Sequence, residues 1–225
     1  MRIQDAAPDA RHAPYAAIQA DPLVARAAAL LVGASLPERI LARAVMNGER
    51  SEREIWRTTF SSLFARGSPN APRAEAVLDV AVAVAARGDQ ARNQYRGAIV
   101  EALTELLLRR RSTAVRRERR VLFDGVRANI HPYDVTIEDP GHPEVWDCKW
   151  GARGIDSDVL DHLDEVRRHA AAEERPVVVG LVVFDARLSC LVRLARLTAP
   201  RSEIRLVTIE TLDELSRGRP RPATG

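Results

Sequence analysis

Residues 131–150 read HPYDVTIEDPGHPEVWDCKW, and this stretch decides the fold. Its two halves, His131-Pro132-Tyr133-Asp134-Val135-Thr136-Ile137 and Glu144-Val145-Trp146-Asp147-Cys148-Lys149-Trp150, carry the β-branched and aromatic residues that suit a pleated strand. Glu138-Asp139-Pro140-Gly141-His142-Pro143 between them is a turn signal centred on Pro140-Gly141. A hairpin folded symmetrically about that pair sets Asp134 opposite Asp147. In the second strand, alternation sends Val145, Asp147 and Lys149 to one face and Trp146, Cys148 and Trp150 to the other. The aromatic face reads as core. The other face then carries an acid and an amine within a sheet whose neighbouring segments are apolar.

Lys149 is the single lysine among 34 basic residues; all the others are arginine. An arginine stays protonated, whereas a lysine is a compact charge that can give up its proton. With 31 acidic residues in 225, an acid stands two places before a given lysine about once in seven by chance, so the pair alone decides little. The hairpin adds the second acid. Like charges directly opposed across two strands are destabilising unless something neutralises them. Two carboxylates converging on a face that carries no His or Cys form an oxygen donor set, which suits Mg²⁺ or Mn²⁺. A surface Asp–Lys pair on an edge strand is the plain alternative. Upstream, Glu101 and Glu105 both lie on a long helical segment from which an acid could reach over the sheet end. A solvated helix face accounts for either.

Working outward, residues 90–110 form a long helix with Ile99, Ala102, Leu103, Leu106 and Leu107 on one stripe. Strands are expected over about 115–123, 127–138 and 144–150, a helix over 157–172 capped by Asp156 or Ser157, and a strand over 177–184. That last run, VVVGLVVF, is apolar throughout, as in a strand covered on both faces. A short helix and a strand over 204–209 follow. The order is α-β-β-β-α-β, then α-β, which makes an α/β protein with a mixed sheet flanked by helices. Before it, residues 21–90 read as a small helical domain. Asp21-Pro22 opens one helix, Ser35 to Glu38 and Ser51 to Glu54 have capping-box spacing, and Gly33, Gly48, Gly67 and Gly88 close the runs. Trp56, Phe60 and Phe64 are its expected core. Residues 1–20 are expected to be loosely attached, residues 91–213 to form the second domain, and residues 214–225 to form an Arg/Pro tail.

Residues 109–120 (RRRSTAVRRERR) hold seven arginines against Glu118. Such a run is usually a solvated face, yet it also suits phosphate contacts through Arg109, Arg110, Arg111, Arg116 and Arg117. Cys148 and Cys190 are far apart and outside any C-x-x-C, so neither a zinc site nor a disulfide framework is expected. Asp5, Asp9 and Arg11 interrupt the apolar run a signal peptide needs, and no stretch of 18 apolar residues offers a membrane span. A soluble cytoplasmic protein is expected. There is no Walker A loop, no G-x-S-x-G and no H-E-x-x-H. His162 and His169, seven apart on one helix face, read as packing or surface residues.

Asp134, twelve intervening residues, then Asp147-Cys148-Lys149 resembles the PD-(D/E)xK motif of restriction-endonuclease-like nucleases. Pro132-Tyr133-Asp134 departs from the usual adjacent proline and aspartate. Gly97-Ala98-Ile99-Val100-Glu101 is similar to the G-x-x-x-E helix of resolvase-like and Mrr-like members, which favours Glu101 over Glu105. The element order over residues 93–185 matches the family core. The helix after the motif lacks the Q-x-x-x-Y pattern of the exonuclease-like branch, and residues 1–90 resemble no family.

The resemblance implies a Mg²⁺- or Mn²⁺-dependent endonuclease acting on DNA, in a restriction or antiphage role. Asp134 and Asp147 would bind metal, Glu101 would add to them directly or through water, and the Cys148 carbonyl would be a further ligand. Lys149 would position or deprotonate the attacking water. A homodimer, or a protein partner met through the helical domain, is the family-level expectation. The competing reading is an inactive nucleic-acid-binding or scaffold subunit that keeps the nuclease fold.

Overall fold

A computed structural model describes residues 2–5, 13–48, 52–123, 126–127, 132–197 and 203–217. The hairpin forms in the register that the turn symmetry predicts. Strands β4 (Tyr133–Ile137) and β5 (Glu144–Lys149) are antiparallel, with Val135 facing Trp146, Thr136 facing Val145 and Ile137 facing Glu144. The ladder ends at Val135–Trp146, so Asp134 and Asp147 are the next residues past the last pair. Strand β2 (Val115–Phe123) lies antiparallel on the other side of β4. Strand β6 (Val178–Val183) runs parallel to β5, and β7 (Arg205–Thr208) runs parallel to β6. Strand β1 (Arg2–Asp5) closes the far edge against β2, and the two-residue β3 (Val126–Arg127) pairs with β2 as well. The sheet order is β1-β2-β4-β5-β6-β7, an α/β architecture with a mixed sheet flanked by helices.

Helix α6 (Asp89–Leu108) covers one face of the sheet and α7 (Ser157–Ala172) covers the other. Helix α7 starts where the cap is expected, with the Asp156 carboxylate accepting the Val159 N–H at 2.9 Å. Its Leu160, Leu163 and Val166 pack with Val145, Val179, Leu181 and Val183. On the α6 side, Trp146 and Cys148 of β5 meet a second cluster that includes Ile99, Leu103 and Leu107. Both faces of β5 and β6 are therefore buried, which is why residues 177–184 carry no polar alternation. The glycine within that run has a packing cause. Gly180 pairs with Trp146 across the parallel ladder, and a Cβ there would fall 2.2 Å from the indole.

Helices α2 (Pro22–Val32), α3 (Leu36–Asn47), α4 (Arg53–Thr59) and α5 (Ala71–Ala85) precede α6. They do not make a core of their own. Val24, Leu31, Leu41, Leu78 and Val84 belong to the same cluster as Trp146 and Phe184, so one core runs from the helical half onto the sheet. Helix α6, which starts at the expected boundary near residue 90, buries residues on nearly every side, including Tyr95, Ala98, Ile99, Val100 and Leu103, and joins that cluster. Trp56, Phe60 and Phe64 pack against this core from its rim.

The N-terminus also differs from expectation. Where loose attachment is expected, β1 extends the sheet and α1 (Ala13–Gln19) lies against α6. These contacts are long-range and leave no local periodicity. The expected strand over 127–138 survives as β3 and β4, while residues 128–131, including His131, lie outside the described part. Ser51 of the second expected capping box lies outside it too, and α4 begins after Glu52. The tail contributes α9 (Glu214–Arg217) through buried Leu215; Arg219 and Arg221 lie beyond the described residues. Short helix α8 (Arg187–Ala195) links β6 to β7. Among the described residues no single helix is long and apolar enough to cross a membrane.

The Trp146–Gly180 contact is a direct test of this packing. Gly180→Ala should lower unfolding free energy by about 1–3 kcal/mol or more through overpacking. Trp146→Ala should cost about 3–5 kcal/mol through the cavity it leaves. Urea denaturation of each variant measures both.

Candidate functional site

The site forms where β4 and β5 stop pairing and α6 passes over them. Asp134 begins this divergence, and its Oδ2 accepts the Cys148 N–H at 2.6 Å in place of a backbone carbonyl. Asp147, one residue earlier on β5, pairs through Oδ1 with Lys149 Nζ at 2.5 Å. Asp134, Asp147 and Lys149 are all only partly exposed. The lysine stem lies along the short 3₁₀ turn Ala152–Gly154, and a Cβ on Gly154 would come within 3.2 Å of its Cδ. That turn is held by Asp185, whose Oδ2 accepts the Ala152 N–H at 3.0 Å while Oδ1 pairs with Arg43 at 2.6 Å.

Glu101 projects from α6 with only 4% of its surface exposed. Arg117 of β2 donates from Nη2 to Glu101 Oε2 at 2.8 Å, and Gln19 donates from Nε2 to the same oxygen at 2.7 Å. The Tyr15 hydroxyl donates to Oε1. Gln19 also donates to Glu118 Oε1 at 2.9 Å. Glu118 lies between Arg117 and Arg119, which pair with Val135 and Tyr133, so it stands across from Asp134. Its φ of 53° is a left-handed conformation that costs a non-glycine residue energy and that clusters at functional positions.

The electrostatics follow from crowding three acids into a poorly hydrated space. Burial, then the Asp147 and Glu101 charges, push the Asp134 carboxyl well above the usual carboxylate range; Lys149 and the Cys148 N–H oppose this. Burial likewise raises Asp147, with Lys149 opposing. Burial works against the charge on Lys149, but Asp147 and Asp134 outweigh it and push the ammonium up to about 12. Burial works against Arg117 in the same way, and Glu101 and Glu105 overcome it.

The other sequence-derived residues separate into two groups. Arg111 chelates Glu144, with Nη1 to Oε1 at 2.8 Å and Nη2 to Oε2 at 2.6 Å, and its Nε donates to the Leu215 carbonyl. With Arg117 on Glu101, two of the five candidate phosphate-binding arginines are engaged inside the fold. Arg109, Arg110 and Arg116 are exposed, although Arg109 is paired with Glu105 at 2.8 Å. Cys148 points its Sγ away from the acids toward Thr104 Oγ1 at 3.4 Å. The His162 ring packs on Tyr133 with centroids 4.1 Å apart. Glu105 lies 3.8 Å from Arg117 at the margin of the site.

No protein-family model, curated protein or solved structure matches this chain. The site must be read from its own chemistry. Asp134 and Asp147 offer hard oxygen donors with a single ammonium to offset them, and a divalent cation would relieve the penalty of burying both. Their donor set fits Mg²⁺ or Mn²⁺. Glu101 is otherwise engaged, and among the described residues no group of three or more His, Cys, Asp or Glu side chains is placed to hold a metal ion.

Sequence reasoning misses Tyr15, Gln19, Arg43 and Asp185, which reach the site across long chain separations. For Asp185 a signal exists, since a buried acid directly ends the apolar run of β6. Removing Arg117 should leave Glu101 buried without its cation. Arg117→Ala is therefore expected to destabilise the fold by about 3 kcal/mol. Adding Glu101→Gln should recover part of that loss in chemical denaturation.

Proposed function

We propose that the chain is a metal-dependent phosphodiesterase of the PD-(D/E)xK, restriction-endonuclease-like kind, cutting DNA internally. The observation that carries this reading is the pair of partly buried acids Asp134 and Asp147 at adjoining ends of β4 and β5, with Lys149 ion-paired to one of them. The order α6-β2-β4-β5-α7-β6, interrupted by the two-residue β3 and the 3₁₀ turn Ala152–Gly154, supports it. So does the position of Glu101 on the helix that crosses those strand ends. A surface Asp–Lys pair would not come with a second desolvated carboxylate.

Asp134 and Asp147 would hold Mg²⁺ or Mn²⁺, which supplies Lewis acidity and a more acidic water when bound. The remaining work belongs to the chain. The Cys148 N–H fixes the orientation of Asp134. Asp147 and the 152–154 turn aim the Lys149 ammonium, which neutralises the scissile phosphate and hydrogen-bonds the attacking water. Exposed Arg110 and Arg116 are the basic residues of the 109–120 run best placed to meet neighbouring phosphates.

A second reading has one observation in its favour. Glu101 is committed to Tyr15, Gln19 and Arg117, as it would be in an inactive nucleic-acid-binding relative of the same fold. Incubating the protein with supercoiled plasmid, linear DNA and RNA, with Mg²⁺ or EDTA, separates the two. Mg²⁺-dependent plasmid cleavage is expected. Asp134→Ala and Lys149→Ala should each reduce it at least about a hundredfold, and Lys149→Arg should not restore it. Undiminished cleavage in all three variants would end the proposal.

A further inference from the structure

We propose that α1 is a strap closed over this site, latched to Glu101 by Tyr15 and Gln19, and that nucleic acid engages the site after the strap lifts. The inference rests on the phosphodiesterase reading above. Three donors bind the Glu101 carboxylate, and two of them come from α1. Gln19 spans Glu101 and Glu118, so α1 ties α6 to the strained position on β2 beside Asp134. While latched, Glu101 is turned to the strap rather than to Asp134 and Asp147.

Two features separate this from ordinary packing. The first is Gly97, one turn before Glu101. A Cβ at that position would stand 3.1 Å from the Tyr15 hydroxyl, so the glycine leaves the slot through which Tyr15 reaches the carboxylate. A glycine in mid-helix is about 1 kcal/mol less favourable than alanine, and here the missing methyl serves the latch. The second is how α1 is held. It has no fully buried residue, and Tyr15 and Ile18 alone pack against the core from its edge. Its flanks are anchored independently, by β1 on β2 and by Asp21, which caps α2 and accepts the Tyr95 hydroxyl. A short element held by a few polar contacts between fixed ends opens locally at far lower free energy than the fold unfolds. The latch donors, a phenol and a carboxamide, also suit phosphate oxygens, which lets a nucleic-acid strand compete for them.

The test uses the full-length protein, the Tyr15→Phe/Gln19→Ala variant and Gly97→Ala, each with and without Asp134→Ala. Gly97→Ala pushes on the Tyr15 hydroxyl while favouring the helix, so it decides the matter if the double variant folds poorly. Three quantities are read: amide exchange over residues 13–20, Mn²⁺ affinity by calorimetry, and plasmid cleavage with Mg²⁺. If the strap is real, both variants exchange faster over 13–20. They also bind Mn²⁺ and cut plasmid on the order of tenfold better, because the competent fraction rises, and Asp134→Ala abolishes both gains. Cleavage and Mn²⁺ affinity equal to wild type in an active protein overturn the strap and leave the phosphodiesterase reading standing. Lower activity overturns it too, and makes Tyr15 and Gln19 positioning residues for Glu101. If neither wild type nor variants bind Mn²⁺ or cut nucleic acid, the phosphodiesterase reading falls and the strap falls with it.

Discussion

Three carboxylates, Glu101, Asp134 and Asp147, lie within electrostatic reach of one another where α6 meets the sheet, and among the described residues the cations paired with them are Arg117 and Lys149. Burying an acid without a countercharge costs several kcal/mol, so this grouping constrains everything around it. It demands a cation from β2, and an amine and a backbone N–H from β5. It also requires a helix that can carry an acid into the sheet face without opening the core.

The rest of the architecture meets that demand by rigidity. Trp146, two residues before Cys148, is clamped against Gly180 and bonds Glu144 through its indole N–H at 2.9 Å. Glu144 is in turn chelated by Arg111, which also binds the chain near its C-terminal end at Leu215. β5 is thus fixed at its entry, and its exit is fixed by the Asp185-braced turn beneath Lys149. With both ends held, the alternation along β5 aims Asp147 and Lys149 to one side with little freedom. The helical half joins the same core through α6 and sends Arg43 to Asp185, so it supports the site rather than forming a detached module.

Much of this was legible in the linear chain, for identifiable reasons. Pro140-Gly141 marks a turn whose symmetry gives the β4–β5 register, and the period of two then assigns faces. The Asp156 cap and the apolar run at 177–184 locate α7 and β6 to within a residue or so. The arginine run was less legible. Arg111 and Arg117 look like their exposed neighbours in sequence, yet they meet Glu144 and Glu101 inside the fold. Composition registers charge without its direction, and strand alternation is what turns Arg117 inward while Arg116 faces out.

By itself the sequence determined the hairpin, the order of elements, and the convergence of Asp134, Asp147 and Lys149, because these follow from local turn chemistry and strand periodicity. Only the tertiary structure decided that the helical half and the sheet share one core, that β1 extends the sheet, and that Glu101 is held by Tyr15, Gln19 and Arg117. Those outcomes depend on contacts between residues far apart in the chain, 86 positions for Tyr15 and Glu101 and 114 for Asp5 and Arg119. Such contacts form because buried polar groups must find partners wherever the packed chain supplies them. The missing Cβ of Gly97 is their one trace in the sequence. Its reason is visible only once the Tyr15 hydroxyl stands beside it.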